Sequence, residues 1–527
     1  MTKELQKIIA QAVNDAYGIE LAPEISPTEG VFGDFATNVS FQLARSLRQP
    51  PKAIADDLVI HIAHKTISRV ESAGAGYINI IMSQEYWINQ LARVNEGFGR
   101  SPEGNGQKVQ VEFISANPTG PTTFGNARGG FIGDVIARVL EFQGYDVTRE
   151  YYFNDGGTQI RKLVESVKVA AGLVQAEEVQ YRGDYVDELA NEFGSKLKAT
   201  SESEAAELLT QTILKRYIEP AVAKMHIRFD EWFNERSLEE SGMVAESLAK
   251  LAKLELTYEQ DGALWLANTK LGDERDRVLR KSNGDLTYLA NDIAYHLNIF
   301  TKRNFDVAIK QWGADHSGQV PSLKLIMHKL VPDKRLEFNI HQWVRLIRGG
   351  QEVKMSKRAG NYVTVEEVID ELGEQGSDVT RFFMLMRTAD SQMDFDLDLA
   401  KEQSQKNPMF YVMYSYVRAN AILTKAKEQG LAIGVSMSSL GSVQTELIKQ
   451  ISQFPQLLEQ IALDFHVHRL TFFGQEVAKR FHDYYETSHI LNLPPAEASE
   501  QLYLVSQYVI FMKVYFSVLG ITALAQM

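Results

Sequence analysis

The sequence predicts an α/β protein in which a parallel-sheet domain lies between an α+β N-terminal domain and an all-α C-terminal bundle. Three observations support this fold class. A strand, a helix and a second strand follow one another within about 45 residues at the start of the middle domain. Strand patterns recur up to about residue 340, and the apolar spacing after it becomes almost wholly helical. We therefore expect domains at residues 1–104, 105–395 and 396–527.

The first domain mixes helix and strand patterns. Leu5–Ala16 and Phe41–Leu47 carry apolar residues at helical spacing. Tyr77–Ile81 predicts a short strand. The polar residues 100–106 are typical of a linker, and we place the first domain boundary there.

The second domain begins with the strand–helix–strand unit. Val109–Phe113 alternates apolar and polar residues, and Val147–Phe153 predicts the second strand. The helix between them carries an apolar stripe over Ile132–Leu140 and ends near Gly144. Two parallel strands joined in this way imply a right-handed crossover. Residues 160–250 are rich in helix patterns and charge, which predicts a helical insertion.

The later elements follow the same two periodicities. Further strands are predicted at Ala263–Leu266, Leu286–Leu289, Phe305–Gln311 and Leu336–Ile340. Helices of the C-terminal bundle are predicted at Tyr411–Lys427, Leu447–Ile461, Leu470–Tyr484 and Glu500–Val518.

Composition excludes several classes of protein. Hydrophobic residues make up 44% and charged residues 23% of the 527, as in folded globular proteins. The absence of cysteine excludes disulfides, thiolate metal sites and cysteine nucleophiles. The net charge of −13 argues against a general nucleic-acid binder, although residues 401–527 carry ten basic and ten acidic side chains. No apolar tract is long enough for a bilayer and no signal peptide begins the chain, so we expect a cytoplasmic protein without a membrane segment.

The turn after the first strand of the middle domain reads Thr123-Phe124-Gly125-Asn126. A turn at the carboxyl end of a parallel strand, beside a helix N-terminus, is where open α/β sheets bind ligands. Gly125 allows close approach of a ring or a phosphate, and Thr123 and Asn126 offer a hydroxyl and an amide. Taken alone, the turn is better explained as a plain strand-to-helix connection, because Gly-containing turns are common.

The second motif is Lys354-Met355-Ser356-Lys357, followed by Arg358. Two ammonium groups on one loop can neutralise the charge that builds on a triphosphate during displacement at phosphorus. Taken alone, a short basic run is usually a solvated loop.

Together the two motifs resemble the signature sequences of the class I aminoacyl-tRNA synthetases, and the detail resembles the arginyl-tRNA synthetase family. The resemblance spans nearly the whole chain and is weakest at residues 165–250 and 425–475. The matching stretches are Gly33–Asn38, Val111–Pro121, Asn283–His296, Trp312–Gly318, Lys354–Val363, Asp394–Ala400 and Asn407–Pro408.

The resemblance implies a Rossmann-type catalytic domain, an N-terminal domain that binds the tRNA elbow and a C-terminal domain that binds the anticodon. It implies ATP, Mg²⁺, L-arginine and tRNA as reactants, and we expect a monomer. Lys354 and Lys357 would stabilise the pyrophosphate side of ATP, and Thr123, Gly125 and Asn126 the α-phosphate side. Three neighbours complete the ATP-binding set: Phe124, Met355 and Ser356. We expect no protein-held metal ion.

An arginine substrate also has chemical support, because carboxylates and coplanar acceptors bind a guanidinium best. Tyr288 and Asp292 are four residues apart and would share a face if a helix begins there. The alternatives are a core aromatic at Tyr288 and a helix cap or surface acid at Asp292. The family places both residues on the arginine side chain. It places the rest of the amino acid against Glu112, Ser115, Asn117 and either Asp315 or His316.

Two groups of residues are candidates for tRNA contacts. Tyr77 and Asn79 match the base-contacting positions of the family's N-terminal domain, where a ring stacks and an amide donates or accepts hydrogen bonds. The alternative is that Tyr77 packs and Asn79 ends a strand. Tyr411, Tyr414 and Arg418 share one helical face, which could stack bases or form core.

The first motif departs from the family pattern, which normally reads His-x-Gly-His. Threonine and asparagine keep hydrogen-bonding capacity but cannot carry positive charge. The Thr-x-Gly-Asn form resembles the motif of tryptophanyl-tRNA synthetases, which are active, so we expect changes in rate and pH dependence. Two other hypotheses stay open: a silent tRNA-binding relative, and a different class I ligase or nucleotidyl transferase. The intact Lys-Met-Ser-Lys sequence argues against the first, and the Tyr288–Asp292 pair against the second.

Overall fold

The computed structural model describes residues 2–28, 32–353 and 362–525. The predicted fold class is confirmed: a parallel sheet in the middle of the chain is flanked by a small α+β region and a helical bundle. The Lys354-Met355-Ser356-Lys357 motif lies outside the described residues.

The N-terminal region packs helices against an antiparallel sheet with strand order β1-β2-β4-β3. On β4, Ile78 and Ile80 are fully buried, whereas Tyr77 and Asn79 point away from the core. The elements are α1 Thr2–Tyr17, β1 Ile25–Pro27, β2 Phe35–Thr37, α2 Val39–Leu47, α3 Pro51–Leu58, β3 Ile67–Ala73, β4 Tyr77–Met82 and α4 Gln84–Ala92.

The middle region is built on a five-stranded parallel sheet with order β12-β11-β5-β6-β7. Two smaller three-stranded sheets, β10-β9-β8 and β14-β13-β15, are attached to it. The strands are β5 Lys108–Glu112, β6 Asp146–Phe153, β7 Glu231–Asn234, β8 Thr257–Gln260, β9 Ala263–Leu266, β10 Arg277–Arg280, β11 Val307–Gly313, β12 Arg335–His341, β13 Val344–Arg348, β14 Gln351–Glu352 and β15 Met393–Asp396. The helices are α5 Phe124–Phe142, α6 Gly157–Ala170, α7 Asp184–Leu197, α8 Glu202–Ile213, α9 Glu219–Lys224, α10 Arg236–Glu240, α11 Met243–Lys253, α12 Tyr288–Thr301, α13 Val320–Leu330, α14 Val365–Glu371 and α15 Gly376–Met384.

Strand β5 is central in the sheet, so both of its faces are covered. The apolar side chains Val109 and Val111 are buried on one face, and Phe113 beyond them lies against Gly133 of α5. Gln110 and Glu112 point to the other face and are equally buried. The alternation seen in the sequence therefore separates two buried layers, one apolar and one polar.

One predicted element of this region is wrong, and one strand was not predicted. Leu286–Leu289 is not a strand, because α12 begins at Tyr288 and places Ala290, Ile293 and Leu297 on a buried helical stripe. Residues 160–250 contain the helices α6 to α11, as their helix-rich pattern predicts. They also include β7, which pairs with β6 and stacks Trp232 on Tyr151 at 4.6 Å between ring centroids.

The C-terminal region is a bundle of helices. Its elements are α16 Leu397–Lys401, α17 Pro408–Glu428, α18 Ser442–Ser452, α19 Phe454–Asp464, α20 His468–Ser488 and α21 Pro495–Leu519. The helix predicted over Leu447–Ile461 is two helices, because Pro455 in the first turn of α19 cannot continue the hydrogen bonds of α18. By length and composition α21 could cross a membrane, but 72% of its apolar stretch is buried inside the fold.

Candidate active site

Thr123 and Asn126 form a cap at the N-terminus of α5. The amide and the hydroxyl of Thr123 both donate to the Asn126 Oδ1 atom, at 3.2 and 2.7 Å. No described residue accepts from the Asn126 Nδ2 group, which leaves it able to donate to a ligand. A methyl group on Gly125 would meet only the Thr123 hydroxyl, at 4.0 Å, so the space above Gly125 is open.

Phe124 does not fit the ATP-binding role predicted for it. Its side chain is fully buried and packs edge-on against Phe395, 5.0 Å away. Its amide donates to the Val363 carbonyl at 3.0 Å. Neither its ring nor its amide is therefore free to contact a nucleotide.

The residues that follow the second motif form hydrogen bonds with the turn before α5. Thr364 forms an isolated antiparallel bridge with Thr123, and the Val365 amide donates to the Thr122 carbonyl at 3.1 Å. Thr364 also caps α14 through a reciprocal pair with Glu367. Thr364 follows Lys357 by seven residues in the sequence.

Glu112, at the carboxyl end of β5, belongs to a buried polar layer. The Lys310 ammonium of β11 lies 2.8 Å from Glu112 Oε2. The Tyr295 hydroxyl of α12 lies 3.0 Å from the same oxygen but closer to Glu150 Oε1, to which it donates its one proton. Burial raises the pKa of Glu112, but Lys310, with smaller contributions from His296 and Ser115, outweighs burial and lowers that pKa. Glu112 is therefore ionised, and one of its oxygens is held by the protein itself.

Asp292, one turn into α12, is a partly buried acid without a counterion. Burial raises its pKa to about 8; the carboxylates of Glu235 and Glu112 add to the rise, and Lys310 only partly offsets it. No described residue donates a hydrogen bond to the Asp292 carboxylate. A cation that entered here would remove a large desolvation cost.

Glu235 is the second carboxylate of this pocket. The Asn154 and Asn291 amides donate to its Oε1 atom at 2.7 and 2.8 Å, and the Tyr152 hydroxyl donates to its other oxygen. Burial raises the pKa of Glu235 as well. Two partly buried acids with mostly neutral partners give the pocket a preference for a positive ligand.

The other predicted arginine residues differ in how closely the structure ties them to these two acids. Tyr288 is 59% exposed and lines a cleft of about 250 Å³ with Arg277, Thr287 and Gln319, and neither Asp292 nor Glu235 is among the lining residues. The Ser115 hydroxyl accepts from the Tyr152 amide at 3.2 Å. Ser115 has a φ of 45°, so the loop after β5 is held in a conformation that most residues avoid.

Asn117, Asp315 and His316 are less closely tied to the two acids. The Asn117 amide donates to Gln159 at 2.9 Å. Asp315 and His316 are exposed on a short 3₁₀ turn after β11, and 3.5 Å separates His316 Nε2 from Asp315 Oδ2. The geometry does not distinguish these two as arginine contacts.

The sequence did not predict four groups of this region, of which Lys310 and Tyr295 are buried and Glu235 and His341 partly buried. A lysine inside the apolar run Val307–Gln311 was a usable signal, because a buried charge needs a partner. Glu235 had no such signal, since it follows the strand β7 that the sequence did not predict. His341 ends β12 against Gly129, and burial lowers its pKa to about 4.

The predicted tRNA-contacting residues lie on two separate surfaces. Tyr77 is 51% exposed on β4 and Asn79 is partly buried beside it. On α17, the Arg418 guanidinium lies 4.7 Å from the Tyr414 ring centroid and donates to His482 Nδ1 at 3.1 Å. Tyr411 contacts the same His482 ring at 4.9 Å between centroids. These α17 side chains therefore form one partly buried cluster with α20.

Three family models match the chain. The arginyl tRNA synthetase N terminal domain matches residues 3–82. The catalytic domain of class I (R) tRNA synthetases matches residues 89–381, and the DALR anticodon binding domain matches residues 412–527.

Whole-chain comparisons agree with these models. The arginine–tRNA ligase of Syntrophotalea carbinolica is 40% identical, over 96% of each chain. That of Geobacillus thermodenitrificans is 37% identical, over 100% of this chain and 99% of its own. The Thermus thermophilus arginyl-tRNA synthetase structure superposes along the whole of both chains with a TM-score of 0.77 at 21% identity, which shows a shared fold. The resemblance read from the motifs is confirmed, and the chain belongs to the arginyl-tRNA synthetase family of class I aminoacyl-tRNA synthetases.

Proposed function

We propose that this protein is an arginine–tRNA ligase, which activates L-arginine with MgATP and transfers it to the terminal adenosine of tRNA. The observation that carries the proposal is the unpaired, partly buried Asp292, whose pKa the nearby Glu235 helps to raise. A guanidinium is a planar cation with five donors, so it fits two carboxylates better than an ammonium does. Family membership and full-length relatives of that activity support the same reaction.

In the first step, an oxygen of the arginine carboxylate attacks the α-phosphorus of ATP. The bond from that phosphorus to the bridging oxygen breaks, which gives arginyl-adenylate and pyrophosphate. The open face above Gly125 and the free Asn126 Nδ2 group would receive the α-phosphate. Lys354 and Lys357, which lie outside the described residues, would stabilise the pyrophosphate.

In the second step, the 2′-hydroxyl oxygen of the terminal adenosine attacks the arginyl carbonyl carbon. The bond from the carbonyl carbon to the phosphate oxygen breaks, AMP leaves with the electron pair, and the hydroxyl proton passes to a phosphate oxygen of the departing AMP. Asp292, Glu235 and Tyr288 would hold the side chain through both steps, which keeps the reacting carboxyl group in place. Ser115 and Asn117 would contact the main-chain end of the amino acid.

We propose that Mg²⁺ arrives bound to ATP. Tyr77 and Asn79 would contact the tRNA elbow, and the cluster of Tyr411, Tyr414 and Arg418 the anticodon. We also propose that the enzyme works as a cytoplasmic monomer, which light scattering of the purified chain would test.

The direct test is charging of total tRNA with each amino acid in the presence of MgATP, together with pyrophosphate exchange with and without tRNA. We expect arginine alone to be charged, and exchange to require tRNA, as is general in the family. A folded protein that binds tRNA but charges none would establish the silent relative instead. Charging of a different amino acid would contradict the assignment of Asp292.

A further inference from the structure

Asp34, in a stretch that resembles the family but that the proposed reaction does not use, lies at a fixed position in the N-terminal sheet. Its carboxylate is 8% exposed, and its Oδ2 atom accepts from the Met82 amide at 2.7 Å, where β4 ends. The Asp34 amide itself donates to the Ile80 carbonyl at 2.9 Å. Gly33 before it has a φ of +85°, and any Cβ there would lie 2.9 Å from that carbonyl oxygen. The turn therefore holds the carboxylate rigidly.

The other oxygen of Asp34 reaches across to the C-terminal bundle. Asp34 Oδ1 lies 2.5 Å from the Lys449 ammonium of α18. Lys449 also pairs with Glu446 at 2.9 Å and lies 5.7 Å above the Trp87 ring of α4. The Lys449 side chain is only 26% exposed, so this ion pair is screened far less than a surface pair.

Hydrogen bonds on both sides of the ion pair fasten α4 to the same bundle. Gln84 donates to the Leu440 carbonyl at 3.2 Å and accepts from its amide at 3.4 Å. Gln507 of α21 donates to the carbonyls of Leu91 and Val94, each at 3.0 Å. A polar side chain that satisfies backbone groups at the end of a helix fixes the direction of that helix.

We propose that Asp34 and Lys449 are positioning residues for tRNA, which hold the N-terminal sheet and the anticodon bundle at one separation. The inference rests on the proposed function, because it takes Tyr77 and the α17 cluster as tRNA-binding surfaces. Tyr77 lies on β4, whose end binds Asp34, and the α17 cluster packs on α20, which in turn packs against α18. The two tRNA-binding surfaces are then held at a fixed distance before tRNA arrives. When tRNA has bound one surface, binding to the second requires no loss of entropy from ordering the two domains.

The test combines kinetics with a distance measurement. Lys449→Met removes the charge and keeps the length of the side chain, and Asp34→Asn keeps an acceptor for the Met82 amide. Lys449→Arg keeps the charge as a conservative rescue. The matched control is Lys3→Met, because Lys3 also bridges to the bundle through Glu459 but is 63% exposed and should contribute little.

For both charge-removing variants we expect the KM for tRNA to rise about tenfold, with kcat at saturating tRNA unchanged. Affinity for an RNA hairpin of the anticodon stem and loop alone should also stay unchanged, since that contact needs only one surface. Lys449→Arg and Lys3→Met should match the parent protein. A KM that stays at the parent value in both charge-removing variants would overturn the inference.

The distance measurement does not depend on catalysis. Because the chain has no cysteine, Ile60→Cys and Val435→Cys, at positions 74% and 90% exposed, accept one spin label in each region. We expect one narrow distance distribution in the parent and a broader one in Lys449→Met. A distribution that stays narrow in Lys449→Met would show that the ion pair does not hold the two regions together. If the parent protein charges no tRNA, the proposed function is wrong. The distance distributions then still test whether Asp34 and Lys449 hold the two regions together.

Discussion

Asp292 makes arginine binding depend on pH. Because its pKa is about 8 in the free protein, most of the carboxyl group is neutral at pH 7. A bound guanidinium favours the ionised form, so binding must release a proton below that pKa. We predict that the KM for arginine falls as pH rises from 6 and levels off above about 8. Steady-state charging at a series of pH values, with tRNA saturating, measures this, and a flat profile would contradict it.

Lys310 compensates the charge of Glu112 inside the sheet. Replacing it with methionine leaves the buried Glu112 carboxylate without a cation in contact with it. We predict that Lys310→Met lowers the free energy of unfolding by about 3–5 kcal/mol. Adding Glu112→Gln should restore much of that loss, because the uncompensated charge disappears. Denaturant unfolding of the two single variants and the double variant measures the coupling, and additive losses would show that the pair is not coupled.

Some of the residues in the pocket were predictable from the sequence, and others were not. Tyr288 and Asp292 stand together in one stretch, so their shared face was predictable from spacing alone. Lys310 lies on β11, about 200 residues after its partner Glu112, and Glu235 follows β7, about 60 residues before Asp292. The Lys310–Glu112 pair depends on the register of β5 against β11, which places the two residues side by side. Local sequence does not specify that register.

The structure at the N-terminus of α5 determines how the replacement of the family's two histidines by Thr123 and Asn126 affects activity. Thr123 and Asn126 satisfy each other, and their cap is a local structure that other side chains can replace. Imidazoles at both positions could contact phosphate oxygens directly. We predict that Thr123→His combined with Asn126→His keeps arginine charging at the parent rate or increases it. Complete loss in a folded double variant would show that this site uses a different geometry.

Element boundaries were predictable where one periodicity dominates. α5 and α17 follow their apolar stripes closely, and β5 and β6 follow their alternation. The error at Leu286–Leu289 arose because a short apolar run does not distinguish a strand from the first turn of a helix. β7 was missed because its four residues are stabilised by packing on β6, which local sequence does not encode.

The whole molecule brings together three matched domains whose order agrees with the predicted architecture. The ends of the central strands carry the pocket, and the N-terminal sheet and the bundle carry the two candidate RNA surfaces. The net charge of −13 means that the bulk of the surface repels polyanions, so tRNA binding must come from local contacts. Lower affinity at higher salt would then reflect those contacts alone.

The most direct measurement compares the binding of arginine and citrulline by isothermal titration calorimetry. Citrulline has nearly the shape of arginine but carries a neutral urea group in place of the guanidinium. The account predicts that arginine binds with release of a proton at pH 7, that citrulline binds at least about a hundredfold more weakly, and that Asp292→Asn removes the difference. Equal affinities for the two ligands, or unchanged arginine binding in Asp292→Asn, would contradict it.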